Sequence, residues 1–177
     1  MDKTVESPLQ IRTQHKYRSL STKRAYKAGD IVCPLPTATL YSKPSQYTVQ
    51  IGRDQHVEVK ELSALNHACD PSVILDTTRL LVFAARDLQV DDELTFFYPS
   101  TEWEMSSPFI CVCGAPNCIH VVAGARFLPV STLEGHFLNY HIRQMMFELL
   151  NQTERHLSDL EAARKAELIS KSNPAVS

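Results

Sequence analysis

Short alternating runs of apolar and polar residues, separated by turn residues, fill the chain from Tyr17 to Tyr98, and helical spacing takes over only after Pro129. Ile31 to Cys33 follow the turn-forming Lys27-Ala28-Gly29-Asp30, Tyr47-Thr48-Val49-Gln50-Ile51 ends at Gly52-Arg53-Asp54, and His56-Val57-Glu58-Val59 resumes the alternation. Alternation over a few residues bounded by Gly and Asp marks half-buried strands, so Tyr47 to Val59 is predicted to be a hairpin with a short loop. Ser72 to Leu75 and Leu80 to Ala85 predict two more strands, and the run Glu93 to Tyr98 predicts another after the turn-like Gln89-Val90-Asp91-Asp92. Residues 1–14 carry Pro8 and several charges without periodicity, and read as a loose or strand-like lead-in.

Leu133, Phe137, Ile142, Met145 and Leu149 recur at helical spacing, and Leu138, Met146 and Leu150 widen the stripe. One long amphipathic helix is predicted, closing over a β core, with a dimer or partner surface as the alternative because Met145 and Met146 suit adaptable contacts. His136 and His141 are placed in this helix. Spaced by five, they share no face as a helical metal pair would, and read as partly exposed polar positions. Apolar density falls from Asn151 to Ile169, and Ser170 to Ser177 form a polar tail expected to fray.

The 177 residues suffice for about one domain plus an extension, and 44% hydrophobic with 21% charged residues is enough for a buried core. Eighteen Lys and Arg against twenty Asp and Glu give a net charge of -2, so no global positive field gathers phosphates and no nucleic-acid partner is predicted. There is no apolar run of about 18 residues, and Met1 to Gln14 lacks the apolar stretch of a signal peptide. The expectation is an intracellular protein, cytoplasmic or nuclear, with no membrane partner; the oligomeric state stays open.

Five cysteines, three of them within eight residues, favour a metal site over a disulfide framework. Cys111-Val112-Cys113-Gly114-Ala115-Pro116-Asn117-Cys118 has C-x-C-x4-C spacing, with Gly114 and Pro116 favouring turns that let three sulfurs converge. Tetrahedral zinc needs a fourth ligand from elsewhere. Cys33, Cys69 and several histidines are the candidates. Cys69 lies in the polar, proline-containing Asn66-His67-Ala68-Cys69-Asp70-Pro71, which reads as a loop able to present a thiolate, whereas Cys33 sits in an apolar β-type run and reads as a buried thiol. Free thiols in a loop are the alternative.

Three motifs in order carry a resemblance to a known family. Asn66-His67-Ala68-Cys69-Asp70-Pro71-Ser72 resembles the N-H-x-C-x-P-N motif of SET-domain protein lysine methyltransferases, Glu93-Leu94-Thr95-Phe96-Phe97-Tyr98 resembles their E-L-T-F/Y-D-Y motif, and Cys111 to Cys118 resembles their post-SET zinc segment. The resemblance implies a mainly β fold, a SET-type β-clip or pseudoknot of small sheets, to which the sequence adds the C-terminal amphipathic α-helix. It implies a division into a lead-in at 1–15, a SET-like domain at 16–104, a post-SET zinc segment at 105–128, and the helix with its tail at 129–177, with no pre-SET region.

The resemblance further implies a transferase that moves a methyl group from S-adenosylmethionine to a lysine of a protein or to a small-molecule amine. Asn66 and His67 resemble residues that hold the cofactor, Tyr98 resembles the tyrosine of the methyl-transfer channel, and Cys69 resembles the fourth zinc ligand beside Cys111, Cys113 and Cys118. Trp103 and Phe109 follow the tyrosine motif and are candidates to line the cofactor or substrate pocket, with packing as the alternative. Tyr47 is a candidate second channel tyrosine, although a hairpin position explains it as well.

Three departures accompany the match. The family's N-terminal G-x-G, whose bare backbone lets the cofactor approach, is absent; alignment back from Lys27-Ala28-Gly29-Asp30 puts Tyr17, Arg18 and Ser19 there. Ser72 stands where asparagine is usual, and Phe97 where an aspartate often precedes the tyrosine. These departures keep two other readings open: a SET fold whose pocket is repurposed for another small molecule or reaction, such as a rearrangement or cyclisation, and a non-catalytic interaction module.

Overall fold

The alternating runs become twelve short strands in a computed structural model of the protein, which describes residues 7–35, 40–45, 47–58 and 62–172. They are β1 Leu9–Gln14, β2 Tyr17–Thr22, β3 Ile31–Pro34, β4 Leu40–Tyr41, β5 Thr48–Gly52, β6 Gln55–Glu58, β7 Asn66–His67, β8 Val73–Asp76, β9 Leu81–Ala84, β10 Glu93–Phe96, β11 Phe109–Ile110 and β12 Val121–Val122. The helices are α1 Val130–Glu134 and α2 Tyr140–Ser172. The lead-in is ordered from Leu9 as β1, paired antiparallel with β2; residues 1–6, Val59 and the end of the predicted tail, 173–177, lie outside the described residues.

Among the described residues four small sheets form, with strand orders β1-β2-β10-β7, β3-β9-β8, β4-β6-β5 and β11-β12. The predicted hairpin is β5–β6, and the two strands after Ser72 pair as the β8–β9 hairpin. Burial follows the side-chain period of two: in β10 Leu94 and Phe96 are buried, while Glu93 and Thr95 are half-buried. Leu20, Val32, Val57, Leu75, Val82, Leu88 and Leu94 belong to one core cluster that joins the three larger sheets. This mainly β architecture is the one expected from the motifs.

The parallel pairing of β7 with β10 positions the site. Thr95 lies opposite Asn66 and Phe96 opposite His67, with the β8–β9 hairpin as the crossover between the two strands. Ser72 fastens this crossing: its hydroxyl accepts from the Thr95 N–H at 2.8 Å and donates to the Glu93 carbonyl at 3.1 Å, and the residue is fully buried. The serine at this position therefore pins β10.

The single helix predicted after Pro129 is two. Gly135 ends α1, and the chain from His136 to Asn139 is irregular because Asn139 is buried and fully employed. Its side-chain oxygen accepts from the Thr77 N–H at 2.8 Å, and its amide donates to the Leu75 and Ser100 carbonyls, each at 2.9 Å. Leu133, Leu138 and Ile142 are buried, so the first half of the predicted stripe divides among α1, the loop and the start of α2.

His136 is consequently in the loop, stacked on Phe97 with ring centroids 3.8 Å apart. His141 is buried rather than partly exposed, with Nε2 2.8 Å from the Thr101 carbonyl. Residues 1–142 and 143–177 are separate compact units, the second being the rest of α2 and the tail.

Candidate active site

His67 links the two halves of the site. Its Nδ1 accepts the Tyr98 backbone N–H at 3.2 Å, and its Nε2 lies 3.3 Å from Cys69 Sγ. The ring also meets Tyr98 edge-on at 5.2 Å and Phe109 at 5.9 Å between centroids. Burial first, then the neighbouring His136 imidazole, lower its pKa to about 4, so it is neutral at pH 7 and its Nδ1 is free to accept the Tyr98 backbone N–H.

Tyr98 opens a short 3-10 turn with Pro99 next to it, and this turn aims the ring back toward β7. Its hydroxyl donates to the Leu65 carbonyl at 2.9 Å. Burial raises its pKa to about 12, with the Glu102 carboxyl adding to the shift, so the phenol remains protonated. Around it lies a cavity of about 260 Å³ whose lining includes Tyr47, Leu65, Phe96, Tyr98, Glu102 and Phe109. Tyr47 and Phe109, weighed as packing or pocket residues, thus both face this space. Trp103 is not among its lining residues; its backbone N–H donates to Gln50 Oε1 at 2.8 Å.

Tyr17, Arg18 and Ser19, aligned with the family's missing G-x-G, lie on β2, and Arg18 comes close to Asn66. The Asn66 amide donates to the Arg18 carbonyl at 2.8 Å and to Glu93 Oε1 at 3.1 Å, and the Tyr17 hydroxyl donates to the same Glu93 oxygen at 2.6 Å. The Tyr17 side chain is therefore drawn onto Glu93, while Ser19 is buried. Carbonyl, carboxylate and amide groups collected here match the charged amino-acid end of a cofactor, and Tyr17 remains exposed beside them.

The four cysteines converge from two stretches of chain. The Sγ atoms of Cys69, Cys111, Cys113 and Cys118 all lie within 4.8 Å of one another, and those of Cys69 and Cys111 are 3.9 Å apart. Four thiolates around tetrahedral zinc, each at about 2.3 Å, stand about 3.8 Å from one another, so this donor set fits such an ion. The Ile119 N–H points at Cys69 Sγ at 3.4 Å, and Asn117 donates to the Cys69 carbonyl at 3.1 Å, which ties the segment to β7. Burial pushes the Cys69 thiol far above its ordinary pKa. Burial also opposes ionisation of Cys113, but backbone N–H groups and neighbouring thiols outweigh it and bring that pKa to about 6. Cys33 lies apart, half-buried in β3 rather than sealed in the core.

Gly124 fixes the way out of this segment. At φ +117° it approaches the Trp103 carbonyl so closely that a Cβ would sit 2.4 Å from that oxygen. A glycine is required there.

Phe97 is buried against His136, so an aromatic stack occupies the position where the aspartate of the motif often stands. Glu93, Gln50 and Glu102 were not legible as site residues. Glu93 sits inside a recognised motif but gains its role from β2, and Glu102 follows Tyr98 in a turn that nothing in the local pattern marks as buried.

Comparisons with known proteins bear on the family and the fold. A family model described as SET domain matches residues 15–99. The chain is 39% identical over 125 residues to Methyltransferase flvH of Aspergillus flavus, covering 69% of this chain and 70% of that protein. It is 33% identical over 82 residues to a Histone-lysine N-methyltransferase, H3 lysine-36 specific, of Gibberella zeae, covering 40% of this chain and 9% of that protein. The crystal structure of KRYPTONITE in complex with mCHG DNA and SAH matches with a TM-score of 0.51 at 20% identity, over 64% of this chain and 28% of that one. That likeness is one of fold. No helix among the described residues is long and apolar enough to cross a membrane.

Proposed function

This chain belongs to the SET-domain methyltransferase family, and we propose that it transfers a methyl group from S-adenosylmethionine to an amine, either a protein lysine or a small molecule. The observation that carries this reading is the crossing of β7 and β10, which sets Asn66 and His67 beside the segment of Tyr98, itself a wall of an aromatic-lined cavity. Bound S-adenosylmethionine supplies an electrophilic methyl group on a sulfonium.

Asn66, the Arg18 carbonyl and Glu93 hold the amino-acid end, with Tyr17 and Ser19 bordering it and His67 and Phe109 walling the side toward the metal segment. Tyr98 lines the channel through which the amine reaches the methyl. Its hydroxyl, anchored on the Leu65 carbonyl and neutral, leaves its lone pairs to face the electron-poor methyl, and its ring keeps the amine on the transfer axis. Water is excluded by Phe96, Leu62 and Leu65 on the same wall.

Cys69, Cys111, Cys113 and Cys118 would hold a structural zinc, which would order the segment carrying Phe109, whose ring meets those of His67 and Tyr98 edge-on. Residues 105–128 thereby serve the site as a metal-closed wall.

Calorimetric titration of the zinc-replete protein with S-adenosylmethionine and S-adenosylhomocysteine tests the reading, followed by methyl transfer from labelled cofactor to lysine peptides and small amines. Micromolar binding, about -8 kcal/mol, is expected. Absence of binding to folded, metal-loaded protein would transfer the case to a repurposed pocket.

A further inference from the structure

Glu102 is only 8% exposed, yet it lines the Tyr98 cavity. Its Oε1 accepts two hydrogen bonds, from the Gln50 N–H at 2.9 Å and the Thr101 hydroxyl at 3.1 Å. Among the described residues no lysine or arginine pairs with it, and no donor meets its second oxygen. A carboxylate withdrawn from water without a cation is costly to keep charged.

The Gln50 hydrogen bond clamps β5 to the turn after Tyr98, the Thr101 hydroxyl holds the same oxygen from within the turn, and the Trp103 N–H closes the clamp on Gln50 Oε1. That clamp needs one oxygen acceptor, which a neutral glutamine would supply equally well. The negative charge is surplus to it.

The rest of the cavity says what the charge meets. Its wall carries the rings of Tyr47, Phe96, Tyr98 and Phe109, which suit an alkyl stem and a cation above an aromatic face. Among the described residues, Glu102 is the acidic side chain that lines it, and no basic one does.

We propose that Glu102 selects the charged end of the substrate: the cavity takes a protonated alkylamine, with its ammonium on the Glu102 carboxylate and its stem between the rings. This rests on the amine-methylating reading above, in which the bound ammonium gives up its proton to solvent before the nitrogen lone pair attacks the methyl, and adds the residue that distinguishes an ammonium from a neutral alcohol or amide of the same length.

A pH signature follows. Burial raises the Glu102 carboxyl to about 7, opposed by the Gln50 N–H and Thr101 hydroxyl. Tyr98 and Tyr47 are the other titratable groups described in the cavity lining, and Tyr98 stays neutral to about 12. An alkylammonium keeps its proton to about pH 10. Affinity for the cation therefore climbs as pH rises through about 7 and falls only when the amine itself deprotonates.

The test is binding of n-butylammonium chloride to the full, zinc-replete chain, followed by NMR from pH 6 to 9, for wild type, Glu102→Gln and Glu102→Asp. n-Butanol serves as the neutral probe. Wild type is expected to bind butylammonium at least tenfold more tightly than butanol at pH 8. Glu102→Gln, which keeps the clamp, should lose at least tenfold and become flat with pH, whereas Glu102→Asp should retain the rise. Equal binding of the two probes, failure of butylammonium to bind wild type, or an unchanged Glu102→Gln profile would overturn the proposal. The butanol comparison needs no variant, so misfolding of a mutant cannot hide the answer. S-adenosylmethionine binding in the same samples reports separately on methyl transfer: charge selection without cofactor affinity would sink that reading and leave this one standing.

Discussion

At the metal end, four sulfurs from Cys69 and the 111–118 segment lie within 4.8 Å of one another; at the β2 end, Tyr17, Asn66, Glu93 and the Arg18 carbonyl are joined by hydrogen bonds of 2.6 to 3.1 Å. Both ends abut β7, and both are needed by the proposed chemistry. Their construction differs. The sulfurs are side chains whose identity and spacing announce a ligand, and a single ion would bind all four strongly. The β2 end relies on exposed hydrogen bonds and a backbone carbonyl, each modest alone, and replaces bare glycine backbone with a tyrosine folded aside. One end is a cross-link, while the other is an adjustable surface.

Removing the metal strains that contrast most. A structural zinc contributes on the order of 10 kcal/mol to folding of its segment, so a chelator or Cys111→Ser is expected to abolish amide-exchange protection across 105–125. The β3-β9-β8 sheet should stay protected, because its core contacts lie elsewhere. Unchanged exchange in the cysteine segment would remove the metal from the account.

Next in size is the pH dependence that Glu102 imposes between the two ends. Its folded-state pKa, about 7, lies above the ordinary carboxylate value, so the folded protein holds this proton more tightly than the unfolded chain. The associated stability is full below about pH 4.5 and declines by about 3 kcal/mol as pH rises to 7. Denaturant melts of wild type and Glu102→Gln across this range should diverge by that amount; parallel curves would show that the carboxyl ionises freely.

Tyr98→Phe should lower methyl transfer about 100-fold while costing only about 1 kcal/mol of stability for the lost hydrogen bond to Leu65. Full activity in the folded variant would move catalysis away from this hydroxyl. Tyr17→Phe is the smallest change, within about 0.5 kcal/mol in stability because its bond to Glu93 is exposed, with cofactor affinity altered several-fold. A loss of stability as large as that from a missing cysteine would erase the distinction between the ends.

The same physical difference decided which residues were legible. Cys69 and the C-x-C-x4-C segment, the β5–β6 hairpin and the strands β8 and β9 could be read because residue type and local period carry them, and Asn66, His67 and Tyr98 could be read through the resemblance of their motifs to those of SET-domain methyltransferases. Glu102 and Glu93 could not, since a carboxylate in a turn or on a strand edge looks the same in sequence whether water or a tyrosine faces it. Asn139 and His141 are parallel cases: helical spacing continued through them, but buried hydrogen bonds to Thr77, Leu75, Ser100 and Thr101 took precedence. Asn139 interrupted the predicted helix between α1 and α2, whereas His141 stays inside α2 but is turned inward.

By itself the sequence determined the strand-rich fold class, the cysteine set and the three motifs, since these follow from local spacing and side-chain chemistry. Tertiary structure alone decided that β10 runs parallel beside β7, that Ser72 and Phe97 fill their positions through contacts with Thr95 and His136, and that an ionisable carboxyl lines the tyrosine cavity. Burial and hydrogen-bond partners are properties of chain segments far apart in sequence, and no local pattern encodes them.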